Sequence, residues 1–176
     1  MGQWLDLGVK DKLLSLLWAR GIMAIKTYRT IGWREWIALP ELGVHAIKVK
    51  VDTGARSSAL HAFDLERFER DGQAMVRFQA HPIQRDDSHI VMIEAALLED
   101  RMVKNSGGQA ELRPVIITPV QVGIVIWPIE LTLTNRDEMG FRMLLGRQAL
   151  RRRYLVDPGH SYLQPLPEDY TVSAHL

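Results

Sequence analysis

From Thr30 onward, apolar and polar residues alternate in short segments, and this alternation is what most constrains the fold. Within residues 47–51, three apolar residues alternate with Lys48 and Lys50, which places the apolar side chains on one face of a strand. Residues 129–134 alternate in the same way. Strands are predicted at residues 33–39, 47–51, 75–79, 90–95, 112–117, 123–127, 129–133 and 143–145.

Turn-forming residues separate these segments, as at Pro40, Asp71-Gly72 and Asp157-Pro158-Gly159. One short helix is predicted after Gly146, through residues 148–150. Short strands with turns at this density predict an all-β barrel or sandwich. With 176 residues, 47% of them hydrophobic, the chain can bury the core of one domain. We find no internal repeat.

The first 25 residues follow a different pattern, because Leu13, Leu14, Leu17 and Trp18 fit one face of a helix. The apolar run is shorter than the ~20 residues that a membrane-spanning helix needs. Early acidic residues argue against a signal peptide. We expect an amphipathic helical extension over residues 1–25, or an overlong start with initiation at Met23, and one domain over residues 26–176.

Composition excludes several functional classes. The chain has 22 basic and 21 acidic residues, so it lacks the basic excess typical of nucleic-acid binding. We interpret the run Arg151-Arg152-Arg153 as a solvated turn of helix. The absence of cysteine excludes disulfides, thiolate zinc sites and a cysteine nucleophile, and it is compatible with a reducing cytosol. We therefore expect a cytoplasmic protein with no transmembrane segment and no nucleic-acid partner.

The run Asp52-Thr53-Gly54-Ala55 follows the predicted strand at residues 47–51 and occurs once. A carboxylate at a strand end, followed by a hydroxyl residue and glycine, is how aspartic proteases present their catalytic acid. The alternative is an Asx turn that merely closes the strand. Because aspartic proteases need two such carboxylates, a chain with one must obtain the other from a second copy of itself.

Two longer runs, residues 51–60 and 141–150, together resemble the retropepsins, the single-domain aspartic proteases of retroviral type. Ser58 and Leu60 occupy the places of the hydroxyl and apolar residues that follow the family's D-T-G-A loop. The run Leu144-Leu145-Gly146-Arg147 matches the strand that packs beneath this loop and leads into a short helix. Residues 104–109 lie where the family carries its glycine-rich flap, flanked by residues 101–103 and 110–113.

A bacterial and archaeal subfamily is still more similar, over residues 31–164. Its members carry the counterparts of Gly32-Trp33-Arg34-Glu35-Trp36, of Arg113-Pro114-Val115-Ile116 and of residues 131–147. The subfamily has been called an ATP-dependent zinc protease, and it is associated with ATP-grasp ligases that add glutamate to a protein C-terminus. The resemblance implies a functional link to such a ligase.

The resemblance implies a closed acid-protease barrel and a homodimer that hydrolyses peptide bonds in a peptide or protein substrate. Two copies of Asp52, about 3 Å apart, would share one proton and activate a water molecule. Thr53 would brace the two loops, and Gly54 would allow their close approach. Ala55, Arg56, Ser106, Gly107 and Gly108 are the implied substrate-binding residues, and Ser58, Leu144, Leu145, Gly146 and Arg147 are the implied supporting residues.

Neither zinc nor ATP is predicted as a cofactor. There is no H-E-x-x-H motif, and the six histidines lack the spacing of zinc ligands. His61 lies near the loop, and we interpret it as a packing or surface histidine. A phosphate-binding G-x-x-x-x-G-K-[ST] motif is also absent.

Arg56 departs from the viral pattern, in which an aspartate often follows the alanine and pairs with the arginine of the second motif. Arg147 therefore needs another acceptor, with Glu35, Glu41 and Asp64 as candidates. Arg56 either faces the cleft and favours acidic substrate segments or is a solvent-facing charge.

Two other functions remain open from the sequence. The chain could be a non-catalytic module that binds a peptide or a ligase, or a zinc-dependent hydrolase.

Overall fold

The computed structural model describes residues 28–83, 89–104, 108–135 and 140–167. The predicted extension at residues 1–25 lies outside this part of the chain. The described residues form twelve strands and one short helix, with a 3-10 turn at Pro40–Leu42. The strands are β1 (Arg29–Gly32), β2 (Arg34–Leu39), β3 (Val44–Asp52), β4 (Ser58–His61), β5 (Phe63–Arg70), β6 (Gln73–Ala80), β7 (Val91–Ala96), β8 (Glu99–Lys104), β9 (Ala110–Val122), β10 (Val125–Thr134), β11 (Met143–Gly146) and β12 (Tyr154–Asp157). Helix α1 is Arg147–Leu150, and the all-β prediction with one short helix after Gly146 is confirmed.

The strands form three sheets. The largest has the order β10-β4-β11-β3-β2-β9-β8, and β9 also pairs with β10, so six of its strands return on themselves in a ring. Strands β5, β6 and β7 form an antiparallel sheet. Strands β1 and β12 pair in parallel and bring the beginning and the end of the described chain together.

The core joins buried residues of the ring to buried residues of the other two sheets, and it follows from the period-two pattern. On β3, Ile47 and Val49 are fully buried while Lys50 is exposed, as the alternation predicts. On β10, Leu131 and Leu133 are also buried. Burial of each such side chain contributes about 1.5–3 kcal/mol. No helix in the described part of the chain is long and apolar enough to cross a membrane.

One predicted strand boundary is wrong. The segments predicted at residues 123–127 and 129–133 are one strand, β10, and Gly123 lies in the preceding turn with φ +57°. The break was placed at Pro128, which cannot donate a backbone hydrogen bond. In the structure Pro128 is opposite Pro119 of β9, so the pairing passes through a position where both residues lack an N–H.

Five strands were not predicted: β1, β4, β5, β8 and β12, although residues 101–103 of β8 were assigned to the flank of the flap. Three of them have only four residues, too few to show a period. Strand β5 is eight residues long but carries charged residues on both faces, and none of its residues is fully buried.

Candidate active site

Asp52 is the last residue of β3, and the two oxygens of its carboxylate have different surroundings. Oδ1 accepts hydrogen bonds from the backbone N–H groups of Gly54 and Ala55, each at 3.0 Å. Oδ2 accepts none from the residues that the structure describes. The Asx turn is therefore compatible with a catalytic role of Asp52, because the turn uses Oδ1 and leaves Oδ2 without a hydrogen bond from the described residues.

Strand β11 lies directly beside this loop. It runs parallel to β3, with Gly146 opposite Asp52 and Leu145 opposite Val51, and antiparallel to β4. Leu145 is buried and Leu144 is half-buried. A Cβ at Gly146 would overlap the backbone carbonyl of Ser57, so only glycine allows β11 to approach the loop this closely.

Hydrogen bonds fasten the loop to the start of α1. Arg147 N–H donates to Ala55 O at 2.9 Å, and Gln148 N–H donates to Arg56 O at 3.2 Å. Ser58 Oγ accepts from Gly146 N–H at 3.1 Å. The loop that carries Asp52 is thereby held by backbone contacts as well as by the sheet.

The acceptor of the Arg147 side chain is the Gly54 carbonyl, to which Nη1 donates at 2.9 Å. The candidates Glu35, Glu41 and Asp64 were wrong. Glu35 is fully buried and accepts backbone N–H groups instead. A main-chain acceptor leaves no signal in the sequence, because every residue carries a carbonyl.

A cleft of about 600 Å³ lies between this loop and the hairpin formed by β8 and β9. Asp52, Gly54, Ala55 and Arg56 line it from the loop, and Arg101–Lys104 line it from β8. The remaining lining residues are Ser57, Ala59, Arg113, Thr132 and Leu144.

The β8–β9 hairpin is where the flap was predicted, and Lys104 is paired with Ala110 at its described end. Ser106 and Gly107 lie outside the described residues. Gly108 is exposed with φ +82°, in the left-handed region that favours glycine, and it does not line the cleft. Thr53 is exposed and lines a neighbouring pocket rather than the cleft.

Four basic residues line the cleft, and two of them, Arg101 and Arg113, are paired with glutamates. Arg101 Nη1 donates to Glu130 Oε2 at 2.6 Å, and this bond, with a further one to Glu99, raises the pKa of Arg101 above its ordinary value. Arg113 is buried, and its Nε donates to Glu111 at 2.9 Å. Arg56 is exposed and also lines the cleft, and its preference for acidic segments stays a prediction.

Sequence reasoning did not assign Arg101, Arg113 or Thr132 to the site. Arg101 and Arg113 are opposite each other on the hairpin. The sequence placed Arg101 and Arg113 in the flanks of the flap, and Arg113 also in the subfamily run at residues 113–116, but neither pattern assigned them a role at the site.

The described residues do not fit a metal centre. No group of three or more His, Asp or Glu side chains within them is placed to hold a metal ion. No histidine lines the cleft, and the His61 ring is buried 6.2 Å from the ring of Phe63. The absence of a metal cofactor remains a prediction.

Comparison with known proteins decides the family. The model of the RimB-like family, described as retropepsin-like aspartic endopeptidase RimB, matches residues 30–167. The chain belongs to this family. The resemblance inferred from the sequence is thereby confirmed, and every described residue that lines the cleft falls within the RimB-like match.

Curated relatives have a different name. The chain is 47% identical over 130 residues to a protein of Desulfotalea psychrophila and 48% identical over 132 residues to one of Shewanella pealeana, both named "Probable alpha-L-glutamate ligase". The matches cover 74% and 75% of this chain but 28% and 29% of those relatives. The chain thus spans less than a third of their length.

A solved structure has a similar fold. The crystal structure of a Legionella pneumophila protein of unknown function is similar with a TM-score of 0.66 and 25% identity. The similarity covers 78% of this chain and 98% of that one.

Proposed function

We propose that the protein is an aspartic endopeptidase whose active site is completed by a second copy of the chain. The observation that carries the proposal is the state of Asp52: one oxygen is anchored by two backbone N–H groups, and the other lies free at a cleft. Membership of the RimB-like family supports it.

The chemistry needs two carboxylates, and Asp52 is the one carboxylate residue among the described residues that line the cleft. Two copies related by a two-fold axis would place both Asp52 side chains together, so that they share one proton. One carboxylate then acts as general base on a water molecule, and the protonated one polarises the scissile carbonyl. Thr53 is exposed on the same loop, where it can contact the second copy.

The positive charge of the cleft favours acidic peptide or protein segments. Arg56 and Lys104 supply this charge, whereas Arg101 and Arg113, which also line the cleft, are paired with glutamates. Because the curated relatives are named as glutamate ligases, we propose that the substrate is a glutamate-bearing protein segment and that the protein acts together with such a ligase.

The Asp52→Asn substitution tests the mechanism. Because it removes the general base and the proton donor of the dyad, cleavage of a diverse peptide pool should fall at least about a thousandfold. The fold should persist, since an amide oxygen still accepts the two loop N–H groups. Circular dichroism and sedimentation would check the fold and the assembly.

Asp71→Asn is the matched control, because Asp71 lies exposed in the turn between β5 and β6 and does not line the cleft. It should leave cleavage unchanged. Cleavage that survives in Asp52→Asn and is lost on adding EDTA would contradict the proposal and favour a metal-dependent hydrolase.

A second candidate is a non-catalytic module that holds an acidic segment for a ligase. One observation favours it: the region similar to this chain makes up less than a third of longer relatives that are named as ligases. This candidate predicts tight binding of acidic peptides with no cleavage by the unsubstituted protein, in the same assay.

A further inference from the structure

A second pocket, of about 540 Å³, adjoins the active-site loop. Thr53 and Arg56 of the loop line it, together with Arg147 and Arg151 from the region of α1. The other lining residues are Gln148, Leu150, Tyr154 and Val156. Three arginines therefore face one pocket, and no Asp or Glu is among the lining residues.

Elsewhere in the described chain, arginines are commonly matched with carboxylates. Arg67 lies 2.6 Å from Asp100, Arg70 lies 2.6 Å from Glu94, and Arg113 lies 2.8 Å from Glu111. In each of these pairs a carboxylate offsets the charge of the arginine.

The pocket arginines have no such match. Arg147 uses Nη1 to bind the Gly54 carbonyl, which neutralises no charge. The side chains of Arg56 and Arg151 make no hydrogen bond or ion pair with any residue in the described part of the chain. The pocket thus brings together three positive charges that no carboxylate among its lining residues offsets.

Backbone contacts hold the three arginines in one place. Arg147 and Arg151 are one helical turn apart, and Arg151 N–H donates to Arg147 O at 2.9 Å, so the two side chains project from one side of the turn. The bond from Gln148 N–H to Arg56 O brings the loop arginine beside them. These backbone contacts join the loop to α1, and Arg151, although solvent-exposed as the sequence predicted for residues 151–153, also lines the pocket.

We propose that Arg56, Arg147 and Arg151 bind a multivalent oxyanion. Guanidinium groups bind phosphate and carboxylate oxygens in pairs, so three of them suit an anion with several oxygens. Leu150, Tyr154 and Val156 give the pocket an apolar wall that an organic phosphate or a small polycarboxylate can contact.

Occupancy of the pocket also favours the assembly of two copies, a consequence that rests on the proposed function. Thr53 lines the pocket and lies on the loop that meets its counterpart in the proposed dimer. Because the pocket arginines lie beside Thr53, the proposed dimer would bring like charges of the two copies towards each other, and these repel. A bound oxyanion removes that repulsion.

Isothermal titration calorimetry with inorganic phosphate and with citrate, at ionic strength matched with chloride, tests the site. Binding to the unsubstituted protein should weaken about tenfold in Arg151→Gln, because one charge-assisted interaction is lost. Arg152→Gln is the matched control, since Arg152 is adjacent and exposed but does not line the pocket. It should bind normally.

Tighter binding of phosphate or of citrate identifies the class of the natural anion, and either supports the site. Equal weakening in Arg151→Gln and Arg152→Gln would show general charge attraction and overturn the proposal. Binding of an acidic peptide by a protein that binds neither phosphate nor citrate would also overturn it.

Sedimentation equilibrium tests the assembly. Phosphate should strengthen self-association of the unsubstituted protein and of Arg152→Gln, with little effect on Arg151→Gln. Phosphate that binds without changing self-association would overturn this consequence. The result is independent of the peptidase test, since Asp52→Asn can abolish cleavage whether or not phosphate binds.

Discussion

Gly146 shows how one residue controls the geometry of the site. It lies opposite Asp52 in the pairing of β3 with β11, and its N–H donates to Ser58 Oγ. A Cβ there would overlap backbone atoms of Ser57, which cannot rotate away as a side chain would. The close approach of loop and strand therefore depends on the absence of a side chain.

Gly146→Ala should destabilise the fold by about 1–3 kcal/mol, because the loop must shift to relieve the overlap. It should also lower peptide cleavage, since the shifted loop carries Asp52. Urea denaturation and turnover measurements check both effects. Gly140→Ala is the control, because a Cβ at Gly140 meets no atom within 4 Å. Equal stability of the two variants would contradict this explanation.

At the scale of elements, the run from Gly32 to Trp36 joins the end of the described chain to the strand that carries Asp52. Trp33 N–H donates to His160 O, and Trp33 O accepts from Val51 N–H, each at 2.9 Å. The fully buried Glu35 accepts the N–H groups of Gly32 at 2.6 Å, Leu163 at 3.0 Å and Gln164 at 3.3 Å. From the sequence, this run was part of a subfamily signature and of a predicted strand, and the role of Glu35 in holding these N–H groups was not predicted.

Glu35→Ala should lower the free energy of unfolding by about 3 kcal/mol, because it leaves several N–H groups without an acceptor. Amide hydrogen exchange should become faster at Gly32, Leu163 and Gln164 in particular. A destabilisation of the whole fold would instead raise exchange rates throughout the protein. Glu41→Ala, at an exposed glutamate of the 3-10 turn, should change stability by less than about 0.5 kcal/mol. Unchanged exchange in Glu35→Ala would show that the carboxylate does not hold the segment.

At the scale of the whole molecule, the described chain presents one Asp52 at an open cleft and a ring of strands that has its own core. The described residues bury a core within one copy, whereas the proposed catalytic site needs two. Stability and activity should therefore respond differently to dilution.

Turnover per subunit should fall as the protein is diluted through the dissociation constant of the dimer, while circular dichroism stays unchanged. Paired measurements of cleavage and sedimentation over the same concentrations check this expectation. A constant turnover per subunit in a range where sedimentation shows monomers would contradict the shared dyad.

The sequence by itself determined the all-β class, the position of Asp52 at a strand end and the short helix after Gly146. These features depend on local periodicity and on residue types within a few positions of each other. Both can be read from the amino-acid sequence. Three four-residue strands, β1, β4 and β12, escaped prediction because a period of two is not visible over so short a span, whereas the equally short β11 was predicted.

Only the tertiary structure decided which distant residues meet. Arg147 binds a carbonyl 93 positions away, and Glu35 binds an N–H 128 positions away. Arg56 and Arg151 face one pocket although the sequence separates them widely. Such contacts depend on the register of β3 and β11 in the ring, and long-range register is set by packing of the whole core rather than by any local pattern.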